Sequence, residues 1–323
     1  MGLTFHLQSL EDTASVIPQT LQTVPLKLAL GSKPLVELSF PPLVPCTPAA
    51  PAKPRIHAEV GRYRLRMAET REDRESACRL RFKVFNIELG EGLESSYQTG
   101  LDSDHFDIFC EHLLVEDKLE ADPARRVVGT YRMQSGHTAS RNMGYYSEQE
   151  FSFAPYEALR SGILELGRAS IDREHRTPEV LTLLWRGIAQ YATDMGLRYL
   201  VGCSSINSKD PAEGWQMYRQ LEQYRVLPEY ETQPTEAYAC PIEPEGAHAQ
   251  PAPLLKDGEG LEASQAKAPK VPKLLRTYLT IGCRIGGPPA WDREFGTIDF
   301  LTLLDLKMVS ASARNRFLAP LTQ

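Results

Sequence analysis

The stretch from Leu164 to Asn207, LELGRASIDREHRTPEVLTLLWRGIAQYATDMGLRYLVGCSSIN, constrains the fold more than any other part of the chain. Thr177-Pro178 is a helix start, with Thr as N-cap and Pro at the first helical position. Val180, Leu181, Leu184, Trp185, Ile188, Ala192 and Met195 follow at a 3.6-residue period and form one apolar stripe. Gly196 stops the helix, and Tyr199–Cys203 is a short apolar strand suited to burial on both faces. The unit reads as strand, basic turn, amphipathic helix and second strand. Glu165 and Arg168 stand in the first strand, where a buried strand should be apolar. Buried charge is costly unless it is paired, so these two mark either a site or a structural ion pair. Residues three apart point to opposite faces of a strand unless a bulge intervenes, and Gly167 offers a place for one.

The rest of the chain arranges itself around this unit. Residues 1–55 are a weakly periodic leader ending in a Pro/Ala-rich linker, PPLVPCTPAAPAKP, and the folded core is expected from 56 to 240. Tyr63–Ala68 alternates as a strand, and the acidic run Glu69 to Asp73 opens a helix whose apolar face includes Ala77, Leu80, Val84 and Phe85. Glu88 to Asp107 is a long loop of a kind usually tied to function or disorder. His112–Val115 and Val127–Gln134 are antiparallel strands around a polar turn, with Gly129 as a bulge or close approach. Ser135 to Pro155 is irregular, and Asp210–Gln223 is a further helix. Residues 241–272 form a Pro-rich insert, and residues 273–323 return as a helix and a final strand, Thr297–Leu306.

Composition removes several function classes. The net charge of -6 argues against nucleic acid as a partner, since no concentrated basic patch offsets it. No apolar run approaches the ~18 residues of a spanning helix, and the N-terminus lacks a secretory pattern, so a cytoplasmic protein is expected. Six scattered cysteines (Cys46, Cys78, Cys110, Cys203, Cys240, Cys283) with no CxxC pair or His/Cys cluster read as reduced, packed thiols, and no metal is expected.

Three further groups carry charge where chemistry needs it. Asp102, Asp104 and Asp107 crowd one loop without the order or glycine of an EF-hand, leaving cation binding, arginine pairing or a solvated turn. Arg81 and Arg132 sit inside apolar runs, and those aspartates are the obvious partners. Arg173 and Arg176 precede the helix at Thr177, a geometry suited either to phosphate or to a solvated turn.

Taken in order, RLRFKVFNIELG, LDSDHFDIFCEHLLV, VVGTYRM, GYYSEQEF, LELGRASI, WRGIAQYA and YLVGCSSI resemble the ornithine–acyl-carrier-protein N-acyltransferases of ornithine lipid synthesis. These belong to the GNAT superfamily and are similar to acyl-homoserine lactone synthases. IGGPPAWDREFGTIDFLTLLDL resembles the C-terminal motif of the ornithine-lipid side. The resemblance implies an α/β GNAT fold, a mixed and mostly antiparallel sheet flanked by helices and splayed near Gly129 and Gly167. It implies a charged network of Arg81, Asp102, Asp104, Asp107, Arg132, Glu165 and Arg168, with Asp102 standing where lactone synthases carry Glu. Glu165, Arg168 and Tyr218 are the catalytic candidates it suggests, Tyr218 as a late proton donor to the leaving thiolate or else a core residue. The usual GNAT pyrophosphate loop is replaced by DREHRTPEV. That departure fits the acyl-phosphopantetheine of acyl carrier protein as donor, with Arg173 and Arg176 meeting its phosphate or the carrier's acidic surface, and no permanently bound cofactor.

The expected reaction moves an acyl or 3-hydroxyacyl chain to the α-amine of an amino acid, ornithine first. The product is a lyso-lipid, so peripheral contact with the inner membrane is a further expectation. The C-terminal LKMVSASARNRFL is a candidate contact, with packing at a domain edge as the plainer reading. The alternatives are a lactone synthase using S-adenosylmethionine, and a non-catalytic module that binds acyl carrier protein.

Overall fold

The computed structural model describes residues 53–241 and 269–321. Most of the leader, including Cys46, and nearly all of the Pro-rich insert lie outside the described residues. Nine strands form one sheet: β1 (His57–Val60), β2 (Tyr63–Met67), β3 (Glu111–Asp117), β4 (Val127–Ser135), β5 (Ile163–Ile171), β6 (Tyr199–Ile206), β7 (Arg284–Ile285), β8 (Ala290–Asp292) and β9 (Thr297–Asp305). Their order is β1-β2-β3-β4-β5-β6-β9-β7, with β8 also paired to β9. Neighbours are antiparallel except β5 and β6, which α3 (Pro178–Asp194) connects by a crossover.

Helices cover both faces. α1 (Arg71–Phe82) begins with a capping box in which the Thr70 hydroxyl accepts from Asp73 N and the Asp73 carboxylate accepts from Thr70 N. Its Ala77 and Leu80, with Val84 beyond it, pack on Leu114 and Val127. On the other face, α3 lays Val180, Leu184, Trp185 and Ile188 against Leu65, Leu113, Val115, Tyr131 and Met133. Each large side chain fully buried there contributes roughly 1.5–3 kcal/mol. Gly187 permits the close approach, since a Cβ would sit 2.8 Å from Leu65 and 2.9 Å from Leu113. The remaining helices are α2 (Gly136–Arg141), α4 (Pro211–Gln220), α5 (Lys273–Ile281) and α6 (Ala311–Phe317). Ala313 and Phe317 of α6 are buried in the α3 core, so this part of the C-terminal segment packs into the fold.

Two features depart from the sequence expectations, the edge of the sheet and the place of its splay. β1 extends the sheet at one edge, although His57–Val60 is too polar to announce itself. Thr297–Asp305 is the final strand, as the sequence expects, and β9 lies inside the sheet between β6 and β7. The splay does not lie at Gly129, where a Cβ would lie 3.2 Å from Val180 and 3.4 Å from Leu184 and the bare backbone lets α3 pack close. It lies between β5 and β6, whose pairing ends at Glu165 and Val201. Gly202 admits the β5 backbone at the fork, because a Cβ there would lie 2.2 Å from the Leu166 carbonyl oxygen. The bulge falls opposite Tyr131, where the β4–β5 register shifts. Its left-handed residue is Arg168, with φ 53°, rather than Gly167.

Candidate active site

Past the fork, β5 and β6 enclose a cleft of about 1030 Å³. Residues paired across a sheet point to the same face, so Glu165, Val201, Ser205 and Asp299 share one side while Leu164 and Leu200 share the other. The cleft reaches both. Toward α3 and α5 its wall is Leu181, Trp185, Leu200, Tyr278 and Phe317; toward α1 it carries Arg132, Glu150, Glu165, Arg168, Asp292 and Asp299. An apolar arm therefore joins a charged chamber through the gap in the sheet.

The charged network takes shape between α1, β4, β5 and the acidic loop. Arg81 is fully buried; its Nε donates to Asp102 Oδ1 at 2.7 Å, and its two terminal nitrogens donate to Asp107 at 2.6 and 3.0 Å. Arg132 donates to Asp104 at 2.6 Å and to Asp107 at 3.3 Å. Arg168 reaches Asp104 at 3.1 Å and approaches Asp102 at 3.9 Å. Three arginines thus balance three aspartates, the arrangement that makes buried charge tolerable. Burial opposes the charge on Asp107, yet Arg81 and Arg132 hold its carboxyl far below the usual range. Asp104 is likewise lowered, against burial, by Arg132 and Arg168. The left-handed backbone at Arg168 is held by these pairs and by Phe295, whose ring centre is 4.4 Å from the guanidinium.

Glu165 does not pair with Arg168. Its carboxylate accepts from Tyr146 N at 2.8 Å and Ser147 N at 2.7 Å, the start of a short 3-10 turn. Burial raises its pKa, and these N–H groups oppose the rise. Glu165 fixes the GYYSEQEF segment, which brings Tyr146 over Arg132 and Arg168 at 5.1 and 5.4 Å from their guanidinium centres.

The remaining expected residues divide. Arg176 lines the cleft mouth and pairs with Glu88 at 2.5 Å, while its Nε donates to the Ile171 carbonyl oxygen at 3.0 Å. Arg173 is exposed beside it and does not line the cleft. Tyr218 is not brought to the chamber: it is buried on α4 with Met217, Leu221 and Ile298, under Arg225 at 3.9 Å. Its burial follows from α4 packing on β9.

Sequence reasoning missed Tyr146, Glu150, Asp292, Phe295 and Asp299. The carboxyl oxygens of Glu150, Asp292 and Asp299 lie within 4.8 Å of one another, and all three residues are buried. Burial, then Asp299 and Asp292, push the Glu150 pKa well above its ordinary range. Asp299 is also raised, first by burial. Its signal was legible, since TIDFLTLLDL carries an acid inside an apolar strand just as LELGRASI does.

Residues 80–186 match the family model for the acetyltransferase (GNAT) domain. The splayed, mostly antiparallel sheet with its single parallel crossover is accordingly the GNAT fold. The chain is 28% identical over 263 residues to the L-ornithine N(alpha)-acyltransferase of Brucella abortus (strain 2308), covering 79% of this chain and 89% of that relative. It is 29% identical over 259 residues to the L-ornithine N(alpha)-acyltransferase of Agrobacterium fabrum (strain C58 / ATCC 33970), covering 79% and 85%. Among solved structures it is similar to the AHL synthase LasI, with TM-score 0.43 and 10% identity over 81% of this chain and 97% of that one. It is also similar to FeeM, an N-acyl amino acid synthase from uncultured soil microbes, with TM-score 0.44 and 12% identity over 80% and 97%.

Proposed function

We propose that this chain, a GNAT-fold N-acyltransferase, moves a fatty acyl or 3-hydroxyacyl group from acyl carrier protein to the α-amine of L-ornithine, the first step of ornithine lipid synthesis. The observation that carries the reading is the two-armed cleft: an apolar arm for the chain, open to a charged chamber for an amino acid. The named activity of the relatives supports it. Acyl carrier protein as donor rests on the sequence of the turn before α3, where DREHRTPEV replaces a phosphate-cradling loop, Arg176 lines the cleft and Arg173 stands exposed three residues before it. Arginine there suits a phosphopantetheine phosphate and an acidic carrier surface.

The chemistry follows from amide formation. The α-ammonium loses a proton to a carboxylate of the chamber or to a water held by one, and the free amine attacks the thioester carbonyl. As the C–N bond forms, negative charge collects on the carbonyl oxygen. Backbone N–H groups of β5 beyond Glu165, where β6 is no longer its partner, are the donors suited to it. The C–S bond then breaks, the nitrogen gives up its second proton as the amide forms, and the departing thiolate takes up a proton, so the step balances. In this scheme Arg168 binds the acceptor's carboxylate: it lines the cleft, and its Nε has no hydrogen-bond partner. Glu165, tied to two backbone N–H groups, positions the Tyr146–Ser147 turn and transfers no proton.

Purified protein supplied with acyl carrier protein thioester, labelled L-ornithine and labelled S-adenosylmethionine tests the reading. The expected product is N-acyl ornithine. Label entering a lactone would favour the signalling reaction, and carrier binding without turnover would favour a non-catalytic module.

A further inference from the structure

Glu150, Asp292 and Asp299 are not needed by the acyl-transfer scheme beyond a single base, yet three carboxylates crowd one wall of the chamber. We propose that they form a cage for the side-chain ammonium of the acceptor amino acid, selecting an amino acid with a second amine. The proposal rests on the cleft being an amino-acid acylation site.

Charge balance separates this cluster from its neighbour. Asp102, Asp104 and Asp107 are matched by three arginines, whereas among the described residues no arginine or lysine forms an ion pair with Glu150, Asp292 or Asp299. Their relative exposures are 1%, 3% and 4%, so solvent does little to screen them. Buried carboxylates in this state call for a cation from outside the fold.

The unpartnered atoms point the same way. Glu150 Oε2 and Asp299 Oδ1 are buried without a hydrogen-bond partner on the cleft wall. Gln134 Oε1, outside the cluster on β4 but lining the same cleft, is a further buried acceptor without a donor, its residue 2% exposed. An ammonium offers three donors and no acceptor, the complement of such a wall. Burial and mutual repulsion, which raise the pKa of Glu150 and Asp299, are relieved when a cation enters.

Phe295 links this cage to the other end of the substrate. Its backbone N–H and that of Glu294 donate to Asp292 Oδ1 at 2.9 and 2.8 Å, aiming the carboxylate. Its ring carries the Arg168 guanidinium at 4.4 Å. A cation and an acidic cage therefore flank one aromatic ring, as an amino acid with an α-carboxylate and a distal ammonium requires. A hard divalent ion fits less well: it takes six or more oxygens or retains ordered water, and one Asp292 oxygen is already held by two N–H groups.

The test compares L-ornithine with L-norvaline, which has the same carbon chain without the terminal amine. Calorimetry measures binding of each to the full-length protein, and steady-state kinetics with acyl carrier protein thioester measures kcat/KM for each. Wild type should prefer ornithine at least 100-fold, as sites built around a charged or hydrogen-bonded group do. Glu150→Gln and Asp299→Asn should each compress that ratio at least tenfold, through KM for ornithine. Damage to the fold lowers both substrates together and leaves the ratio intact, so an unchanged ratio in both variants overturns the cage. Equal wild-type use of both amino acids overturns it while the acylation reading stands. A cage-dependent binding preference without any turnover supports the cage and sinks acylation instead. Stoichiometric calcium, magnesium or manganese in the purified protein, with ornithine binding that does not respond to either variant, assigns the carboxylates to a metal and overturns the proposal.

Discussion

Replacing Glu150 with glutamine should make the free protein more stable. The carboxyl oxygens of Glu150, Asp292 and Asp299 lie within 4.8 Å of one another without a cationic partner. Two full charges at that distance repel by about 3–4 kcal/mol at an effective dielectric of ~20. A proton on Glu150 relieves part of this in the wild type, so the expected net gain is about 1–2 kcal/mol. For a domain of this size that raises Tm by roughly 2–6 °C. The sign follows from the shift. The folded pKa of Glu150 lies well above its ordinary value of 4.5. The wild type keeps this contribution below about pH 4.5 and loses it as pH rises through the folded pKa. Glutamine does not titrate, so its advantage should be small in acid and grow toward pH 8. Calorimetric Tm values of both proteins from pH 4 to pH 9 give the answer. A lower Tm for the variant at pH 8, or a gain independent of pH, would refute the reasoning.

Arg81→Met should destabilise by about 3–5 kcal/mol, because it takes the nearest cation from buried Asp102 and Asp107 and leaves only the longer contacts of Arg168 and Arg132; urea denaturation checks it, and Arg81→Lys should not restore the loss, lacking the two-pronged contact with Asp107. Acid should weaken the fold in two stages. His112 is held neutral by burial at a pKa of about 4 against 6.5, so stability falls as pH drops from about 6.5 to 4. Asp104 and Asp107, both lowered, extend the loss at still lower pH; a Tm that is flat between pH 6.5 and 4 would exclude the His112 contribution. Gly202→Ala should lower both Tm and acyl transfer, since a Cβ 2.2 Å from the Leu166 oxygen must move one arm of the fork; unchanged kinetics in a folded variant would separate the fork from the chemistry.

Much of this architecture is legible from local chemistry. Thr177-Pro178, the α3 stripe and Gly196 place the crossover, because capping and 3.6-residue periodicity act within one element. Arg81 and Arg132 are identifiable as charges inside apolar runs, and the acidic loop that lies between them in sequence pairs with both. What stays hidden depends on long-range register. Glu165 and Arg168 are neighbours in the motif, but the bulge opposite Tyr131 sends them to different partners. Glu150 and Asp299 are far apart in the chain and meet only because β9 inserts beside β6. Tyr218 sits on the expected helix, yet the helix turns it into the core, which no spacing rule reveals.

The central claim is tested most directly by one reconstitution: the purified chain, 3-hydroxyacyl carrier protein and L-ornithine, with the amide located in the product by tandem mass spectrometry. The account predicts acylation at the α-nitrogen, with the side-chain amine held as a cation in the carboxylate chamber. Acylation at the side-chain nitrogen, or no amide from this acceptor, would contradict it.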